Sequence, residues 1–366
     1  MTAAASPATG AASRGRAFHP LTVAGVEPLC DDAVAVTFDV PTDLADEFAF
    51  AAGQSLTLRR TIDGVEHRRS YSICSPVGRR PRVGVREVTD GLFSTWLVRE
   101  VRAGDTIEVQ GPTGTFAADP GVAGVHVLIA AGSGITPVLS IAATVLTNPA
   151  SRVILVYGNR RARSVMFADE IADLKDQYHD RFDVIHVLSR EPRDVELFTG
   201  RVDAARLREL LRTVIPTADA DHFWLCGPHG MVADAVAVLR DLGVARTQVH
   251  RELFHVDDGT PPPQERHVER GVEGPTSEVT VVLDGRSVTG TTSQNATLLD
   301  GAEAVRSDLP FACKGGVCGT CRAKVLRGTV DMRRNYALED DEVAAGFVLT
   351  CQTYPTSDDV TVDFDA

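Results

Sequence analysis

FACKGGVCGTC, residues Phe311–Cys321, sets Cys313, Cys318 and Cys321 within nine positions, and Cys351 follows in LTCQ after 29 intervening residues. The spacing C-x4-C-x2-C with a distant fourth cysteine supplies four thiolates to the two irons of a 2Fe-2S cluster. Gly315, Gly316 and Gly319 suit a loop that wraps such a cluster. Several positions there need a positive φ or no Cβ, so that backbone N–H groups can turn toward sulfur. A structural zinc site is the alternative for four cysteines, but it usually pairs two C-x2-C knuckles, and one is present. Cys313, Cys318, Cys321 and Cys351 are the expected metal ligands.

Upstream of this module, DDGTPPPQERHVERGVEGPTS (257–277) reads as a linker. Its three consecutive prolines continue neither a helix nor a central strand, and its charged remainder buries no core. Before it, the pattern changes once. Over 18–118, short alternating segments such as AVAVTFDV and SLTLRR, with Asp63-Gly64 as a hairpin signal, predict an antiparallel β-barrel. Over 119–256, strands such as VHVLIA, RVILVYG, FDVIHVL and HFWLCGP alternate with helical segments such as VLSIAATVL and MVADAVAVLRDLG. That order predicts an α/β domain with a parallel sheet. The last module, 278–366, opens with the hairpin pattern EVTVVLDGRSVTG, carries the helix-like NATLLDGAEAV and reads as α+β. Residues 1–17, rich in Ala, Ser and Arg, are expected to form a disordered tail.

The chain has 366 residues and a net charge of −13, which argues against a nucleic-acid partner, since phosphate contacts need a basic face. No apolar run approaches the roughly 20 residues that cross a bilayer. The expectation is a cytoplasmic protein with no membrane partner. Seven cysteines, four of them in the last sixth of the chain, point to a liganded centre rather than a disulfide framework. Arg322, Lys324, Arg327, Arg333 and Arg334, near the cluster loop, are expected to act as ordinary surface charges rather than as a docking patch.

Three further motifs carry a resemblance. RRSYSICS holds Arg69-Ser70-Tyr71-Ser72, GLFSTWL begins at Gly91, and AAGSGITP and LCGPHGM end two strands. Together they resemble the flavin motif R-x-Y-S, the G-x-x-S segment and the nicotinamide-binding loops of the ferredoxin–NADP reductase family, over about residues 18–256. The remainder resembles a plant-type ferredoxin of β-grasp-like fold. Within that family, YGNRRARSVMFADEIADLKD, HVLSREP, RELFHVD and NYALEDDEVAAGFVLTCQTYP are similar to reductase subunits of ring-epoxidising multicomponent oxygenases. Reductases of steroid hydroxylases share the module order and most motifs.

The resemblance implies FAD, a pyridine nucleotide and a 2Fe-2S cluster as cofactors. It assigns Arg69 to the flavin pyrophosphate, a role suited to a planar guanidinium. Tyr71 then lies against the flavin ring and Ser72 near its reactive edge, while Gly91, Phe93, Ser94 and Thr95 complete the phosphate cradle. Gly132, Ser133, Gly134, Thr136 and Pro137 match a nucleotide loop of the form G-x-G-x-x-P in part, at a strand-to-helix turn where free N–H groups favour phosphate. Cys226, followed by Gly227 and Pro228, is implied to orient the nicotinamide rather than attack it. Phe254 is implied to lie near the flavin. At the end of the second nucleotide-domain strand, Arg160, Arg161 and Ser164 stand with no acid before Asp169. Arginine suits the 2′-phosphate of NADPH, whereas NADH-binding sites commonly place an acid there.

Electron counting links these parts. A nicotinamide releases two electrons as hydride, a 2Fe-2S centre takes one, and a flavin can accept the pair and release singles. The implied function is an NADPH-dependent oxidoreductase that feeds a di-iron oxygenase component. Alternatives are the reductase of another monooxygenase, such as a steroid hydroxylase, and a redox sensor that binds the same cofactors without turnover.

Overall fold

The computed structural model describes residues 17–62, 64–255, 274–306 and 308–366. The expected tail except Ala17, Asp63 of the hairpin signal and most of the expected linker lie outside the described residues. Thr276 and Ser277, at the end of the expected linker, are already the first residues of a strand. The rest falls into two compact units, one holding chiefly the two N-terminal sheets and one the C-terminal sheet.

The first sheet comprises β1 (Phe18–Cys30), β2 (Ala33–Asp39), β3 (Ser55–Ile62), β4 (Val65–Ser72), β5 (Arg82–Arg86) and β6 (Thr106–Thr113), in the order β4-β3-β6-β1-β2-β5. Ile73, just past β4, bridges antiparallel to Val83 of β5, so the two ends of the sheet meet and the sheet curls into a barrel. Alternation explains the closure: Leu56, Leu58, Val83, Val85, Val36 and Phe38 are fully buried inside it. A single helix, α1 (Leu92–Arg99), follows β5.

The second sheet is parallel throughout. Its strands are β7 (Val125–Ala131), β8 (Arg152–Asn159), β9 (Phe182–Leu188), β10 (His222–Pro228) and β11 (Val249–His255), in the order β11-β10-β7-β8-β9. The helices α2 (Ile135–Val145), α3 (Ala168–Gln177), α4 (Ala204–Thr213) and α5 (His229–Asp241) alternate with them. Val127, Leu128, Ile129 and Ala130 of β7 are all buried, as a central parallel strand covered on both faces requires. Nearly every position of α2 is buried as well. It lies between this sheet and the barrel, where Ser140 Oγ donates to the Ser75 carbonyl at 2.7 Å and Thr144 Oγ1 accepts from the Val77 amide at 3.1 Å. An apolar helix of this kind is stable only when covered on all sides.

The C-terminal module has β12 (Thr276–Leu283), β13 (Arg286–Ser293), α6 (Leu298–Glu303), β14 (Arg322–Arg327), β15 (Val330–Met332), α7 (Asp340–Ala344), β16 (Phe347–Leu349), β17 (Thr353–Pro355) and β18 (Asp359–Asp363). First and last strands, β12 and β18, pair in parallel at the centre of the order β13-β12-β18-β14-β16, giving the expected β-grasp arrangement. The hairpin β12–β13 turns at Asp284-Gly285, both at positive φ (54° and 66°), which is the turn that Asp-Gly favours. Asp365 accepts both of their amides at 2.9 Å.

At the N-terminal end of the parallel sheet three imidazoles gather. His126 stacks on His222 with ring centroids 5.1 Å apart, and Trp224 stacks on His250 at 4.0 Å. The Trp224 indole N–H donates to His126 Nδ1 at 3.2 Å, so the His126 proton must sit on Nε2, which is buried without a partner among the described residues. Burial, helped by His222, pushes His126 down to about 4. A histidine depressed below its ordinary 6.5 contributes stability that is complete above pH 6.5 and is lost as pH falls from there toward 4. The full effect is about 3 kcal/mol. Melting temperature is therefore expected to fall between pH 7 and pH 4.5 in the wild type and to fall less steeply in His126→Gln, as measured by thermal unfolding across that range.

Candidate functional site

The parallel order reverses between β7 and β10, and a crevice at such a switch point opens at the carboxyl ends of the two strands. Gly132–Gly134 forms a short 3-10 turn there that runs into α2. Gly132 adopts φ +56°, and its carbonyl accepts the Tyr157 hydroxyl at 3.0 Å. Gly134 lies against the end of β10, where a Cβ would stand 2.2 Å from the Cys226 carbonyl oxygen. Only glycine permits this approach. Gly132 and Ser133 are half-exposed at the crevice, whereas Thr136 and Pro137 are buried in α2. Thr136 Oγ1 donates to the Ser133 carbonyl at 3.0 Å, so that residue shapes the loop from behind.

Cys226 pairs in register with Glu252 on β11. Ser72, at the end of β4 and 180 positions from Glu252, donates its hydroxyl to Glu252 Oε2 at 3.1 Å, and Cys226 Sγ stands 3.9 Å from the same oxygen. The barrel and the parallel sheet thus meet at one half-buried carboxyl. Burial raises Glu252 to about 7, against the lowering effect of its bonds from Ser72 and Cys226. Burial, with the Glu252 charge, raises the Cys226 thiol well above its ordinary value, so at neutral pH it is a thiol and no nucleophile. Sequence patterns alone did not single out Glu252. Its one signal was an acid inside the strand pattern RELF, one position from the buried Leu253. Gly227 is buried, Pro228 is exposed at the rim, and Phe254 packs half-buried against the core.

On the barrel, Tyr71 lies 6.2 Å from Phe93, and Phe93 meets Trp96 edge-on at 5.5 Å, with the Arg60 guanidinium 4.3 Å above Trp96. Arg69 donates to the Arg68 carbonyl at 2.7 Å. Ser94 closes the turn ahead of α1: its Oγ donates to the Gly91 carbonyl at 3.1 Å and accepts from the Val88 amide at 3.0 Å. The Thr95 amide is bonded to the Gly91 carbonyl. An aromatic shelf beside arginines fits a flavin.

Arg160, Arg161 and Arg163 are exposed on the loop after β8, and none makes an ion pair among the described residues. Ser164 Oγ accepts from the Arg161 amide at 3.1 Å and donates to its carbonyl at 2.7 Å. The Ser164 carbonyl takes a hydrogen bond of 2.6 Å from Arg86 Nη2 of the barrel.

In the C-terminal module the cysteines converge in two pairs. The neighbouring Cys318 thiol, with amides of Gly315, Val317 and Cys318, pulls Cys313 down, and the same neighbour pushes Cys318 up. Cys321 and Cys351 are the second neighbouring pair, and their proximity lowers Cys321 and raises Cys351. Two thiol pairs with inward amides, Gly315 N–H among them at 3.3 Å from Cys313 Sγ, match a donor set for two irons. The positive φ values fall on Lys314, Gly316 and Gly319, while Gly315 is not among them. Arg322, Arg327 and Arg333 pair with Glu342, Asp359 and Asp331 at 3.0, 3.0 and 3.4 Å, consistent with ordinary surface charges.

Gly134→Ala is expected to push the glycine loop off the end of β10, because the Cys226–Gly227 backbone leaves the new methyl no room. NAD(P)H affinity should fall at least tenfold while flavin content stays at the wild-type level, as read by transient hydride-transfer kinetics and flavin absorbance.

Sequence comparisons place these sites in a known setting. Residues 20–117 match the oxidoreductase FAD-binding domain, 128–237 the oxidoreductase NAD-binding domain and 281–356 the 2Fe-2S iron-sulfur cluster binding domain. The chain is 44% identical over 95% of its length to one of the subunits of the 1,2-phenylacetyl-CoA epoxidase of Escherichia coli K12, covering 98% of that protein. It is 33% identical, over 94% of its length and 96% of the relative, to the ferredoxin reductase component of 3-ketosteroid-9-alpha-monooxygenase of Rhodococcus rhodochrous. Phthalate dioxygenase reductase, described as a modular structure for electron transfer from pyridine nucleotides to [2Fe-2S], shares the fold with a TM-score of 0.60 at 24% identity, over 95% of this chain and 98% of that one. Three matched domains in this order and 44% identity across nearly the whole of both chains lead to one conclusion: the chain belongs to the family of flavin- and iron-sulfur-dependent reductase components of multicomponent oxygenases.

Proposed function

We propose that this reductase draws electrons from NADPH and delivers them to the di-iron oxygenase component of a phenylacetyl-CoA epoxidase, in the cytoplasm. The observation that carries the reading is the 44% identity to the Escherichia coli epoxidase protein across nearly the whole of both chains. The identity of 33% to the steroid monooxygenase reductase favours a second reading, the reductase of a steroid hydroxylase, less strongly.

Bound FAD and the 2Fe-2S cluster would supply the conversion of an electron pair into single electrons. The chain's own residues bind, orient and shield. Arg69 holds the flavin pyrophosphate, Tyr71 lies against the ring, and Gly91, Phe93, Ser94 and Thr95 shape the turn beside it. Ser72 and Glu252 present a hydrogen-bonded pair where the nicotinamide meets the barrel. Cys226, with Gly227, Pro228 and Phe254 around it, fills the space beside the ring with a neutral thiol. Gly132, Ser133 and Gly134 offer backbone amides to the nucleotide phosphates. Arg160, Arg161 and Ser164 receive the 2′-phosphate. In support of that last assignment, three arginines stand without ion pairs among the described residues of a chain of net charge −13, where carboxylates are plentiful for pairing.

Purified reductase combined with the epoxidase oxygenase component should oxidise NADPH in a manner that depends on phenylacetyl-CoA. A preparation that reduces ferricyanide briskly yet ignores phenylacetyl-CoA, and responds instead to a ketosteroid with its oxygenase, would move the assignment to the second reading.

Glu252 ionises through about pH 7, and its negative form stabilises the positive charge that the nicotinamide acquires on losing hydride. NADPH-driven ferricyanide reduction should therefore rise as pH passes upward through about 7. In Glu252→Gln the rate should be lower, by about tenfold or more, and flat across that range.

A further inference from the structure

The arginine loop after β8 is held by a residue that its own sequence does not contain. The backbone of Arg160 accepts the Arg190 amide at 2.8 Å, and Asn159 accepts the Ser189 amide at 2.9 Å, which brings the exit of β9 alongside the exit of β8. This pairing delivers Glu191 to the loop. Its Oε2 accepts the Ala162 amide at 2.9 Å, at the start of the 3-10 turn Ala162–Ser164. Glu191 is half-buried and forms no ion pair among the described residues, although Arg160, Arg161 and Arg163 stand on the neighbouring loop. The carboxylate is committed to backbone, and the guanidinium groups are left open to another anion.

Two physical effects follow, and they oppose each other. As an acceptor, Glu191 fixes the turn that carries Arg161, Arg163 and Ser164, so that their geometry exists before any nucleotide arrives. As a charge, it stands beside the place where those arginines would meet a 2′-phosphate, and two anions at short range repel. An acid in this position also resembles, in chemistry, the carboxylate that meets a free ribose 2′-hydroxyl.

We propose that Glu191 is a specificity-determining residue of the nucleotide site: seated on the Ala162 amide, it positions the arginine turn and tempers its preference for a 2′-phosphorylated nucleotide. The proposal rests on the reading of Arg160, Arg161 and Ser164 as the 2′-phosphate site. Glu191 touches the loop backbone rather than the reacting atoms, so its influence falls on nucleotide binding and not on hydride transfer.

The amide oxygen of glutamine can still accept from Ala162, whereas alanine cannot, which separates the two effects. The test compares wild type, Glu191→Gln, Glu191→Ala and Arg161→Ala holoenzyme by kcat/KM for NADPH and for NADH with ferricyanide as acceptor. Glu191→Gln should raise the NADPH:NADH ratio roughly fivefold, the size expected for removing one unit charge a few ångström away in water-like surroundings. The gain should appear in the KM for NADPH, with kcat little changed, and should shrink at high salt. Glu191→Ala should give a lower ratio than Glu191→Gln, because the turn loses its anchor. A ratio in Glu191→Gln that stays at or falls below the wild-type value would overturn the proposal. Arg161→Ala should lower the ratio; if it does, a failure of Glu191→Gln sinks the role of Glu191 alone. If Arg161→Ala leaves the ratio untouched, the 2′-phosphate reading fails and takes the proposal with it.

Discussion

The missing side chain of Gly134 is the constraint on which the nucleotide crevice depends. A Cβ there would stand 2.2 Å from the Cys226 carbonyl oxygen and 2.5 Å from its carbon, so the glycine loop and the end of β10 touch backbone to backbone. That approach draws the carboxyl ends of β7 and β10 together at the switch point of the sheet. Cys226 is then placed in register with Glu252, and Ser72 reaches the same carboxyl from the barrel. Helix α2, which starts at this glycine turn, hydrogen-bonds the barrel loop at Ser75 and Val77 and fixes the two sheets against each other. One close contact thus propagates through a helix into the geometry of the junction.

Electrostatics at the junction follow from burial. Glu252 has no cation paired with it among the described residues. Its hydroxyl and thiol neighbours offset only part of the cost of burying charge, and its ionisation moves up to about 7. Two arginines of β5 are engaged elsewhere. Arg82 is bonded to both oxygens of Glu170 at 2.8 Å, and Arg86 reaches across to the Ser164 carbonyl. In the proposed function, this carboxyl, balanced between its two states, faces a hydride donor that changes charge. The loop arginines, unpaired among the described residues, are the groups that the same proposal assigns to a further anion. The acidic chain has distributed its counter-charges unevenly.

In the C-terminal module, strain and attachment go together. Lys314, between the first two cysteines, adopts φ +49°, a conformation that costs an ordinary residue about 1 kcal/mol or more. Its Nζ is bonded to Glu303 at 2.7 Å and lies 3.4 Å from Asp300, both on α6, and its carbonyl accepts from Gln352 Nε2 at 2.8 Å. Helix α6 in turn lies so close to β13 that a Cβ on Gly301 would overlap Thr292 Oγ1. The loop is therefore held open in the shape its thiols require by groups on either side of it in sequence.

The chain's local patterns determined much of this. Alternation in AVAVTFDV and SLTLRR, the apolar runs of the parallel strands, and Asp284-Gly285 each act over a few residues, so the barrel, the α/β domain and the terminal hairpin were legible in order. The cysteine spacing pointed to a 2Fe-2S domain, which the match over 281–356 bears out, because the spacing of thiols along a loop limits which of them can share a cluster. What the sequence could not display was the meeting of distant residues. Glu252 joins Ser72 across 180 positions, and Glu191 reaches Ala162 across 29. Trp224 decides which nitrogen of His126 carries the proton from 98 positions away. Even within the cluster loop, the left-handed conformation fell on Lys314 rather than on Gly315, because α6 and Gln352 hold the lysine in place. Local propensity acts through neighbours in the chain; ionisation, specificity and strain are settled by neighbours in space, and only the folded sheet chooses those.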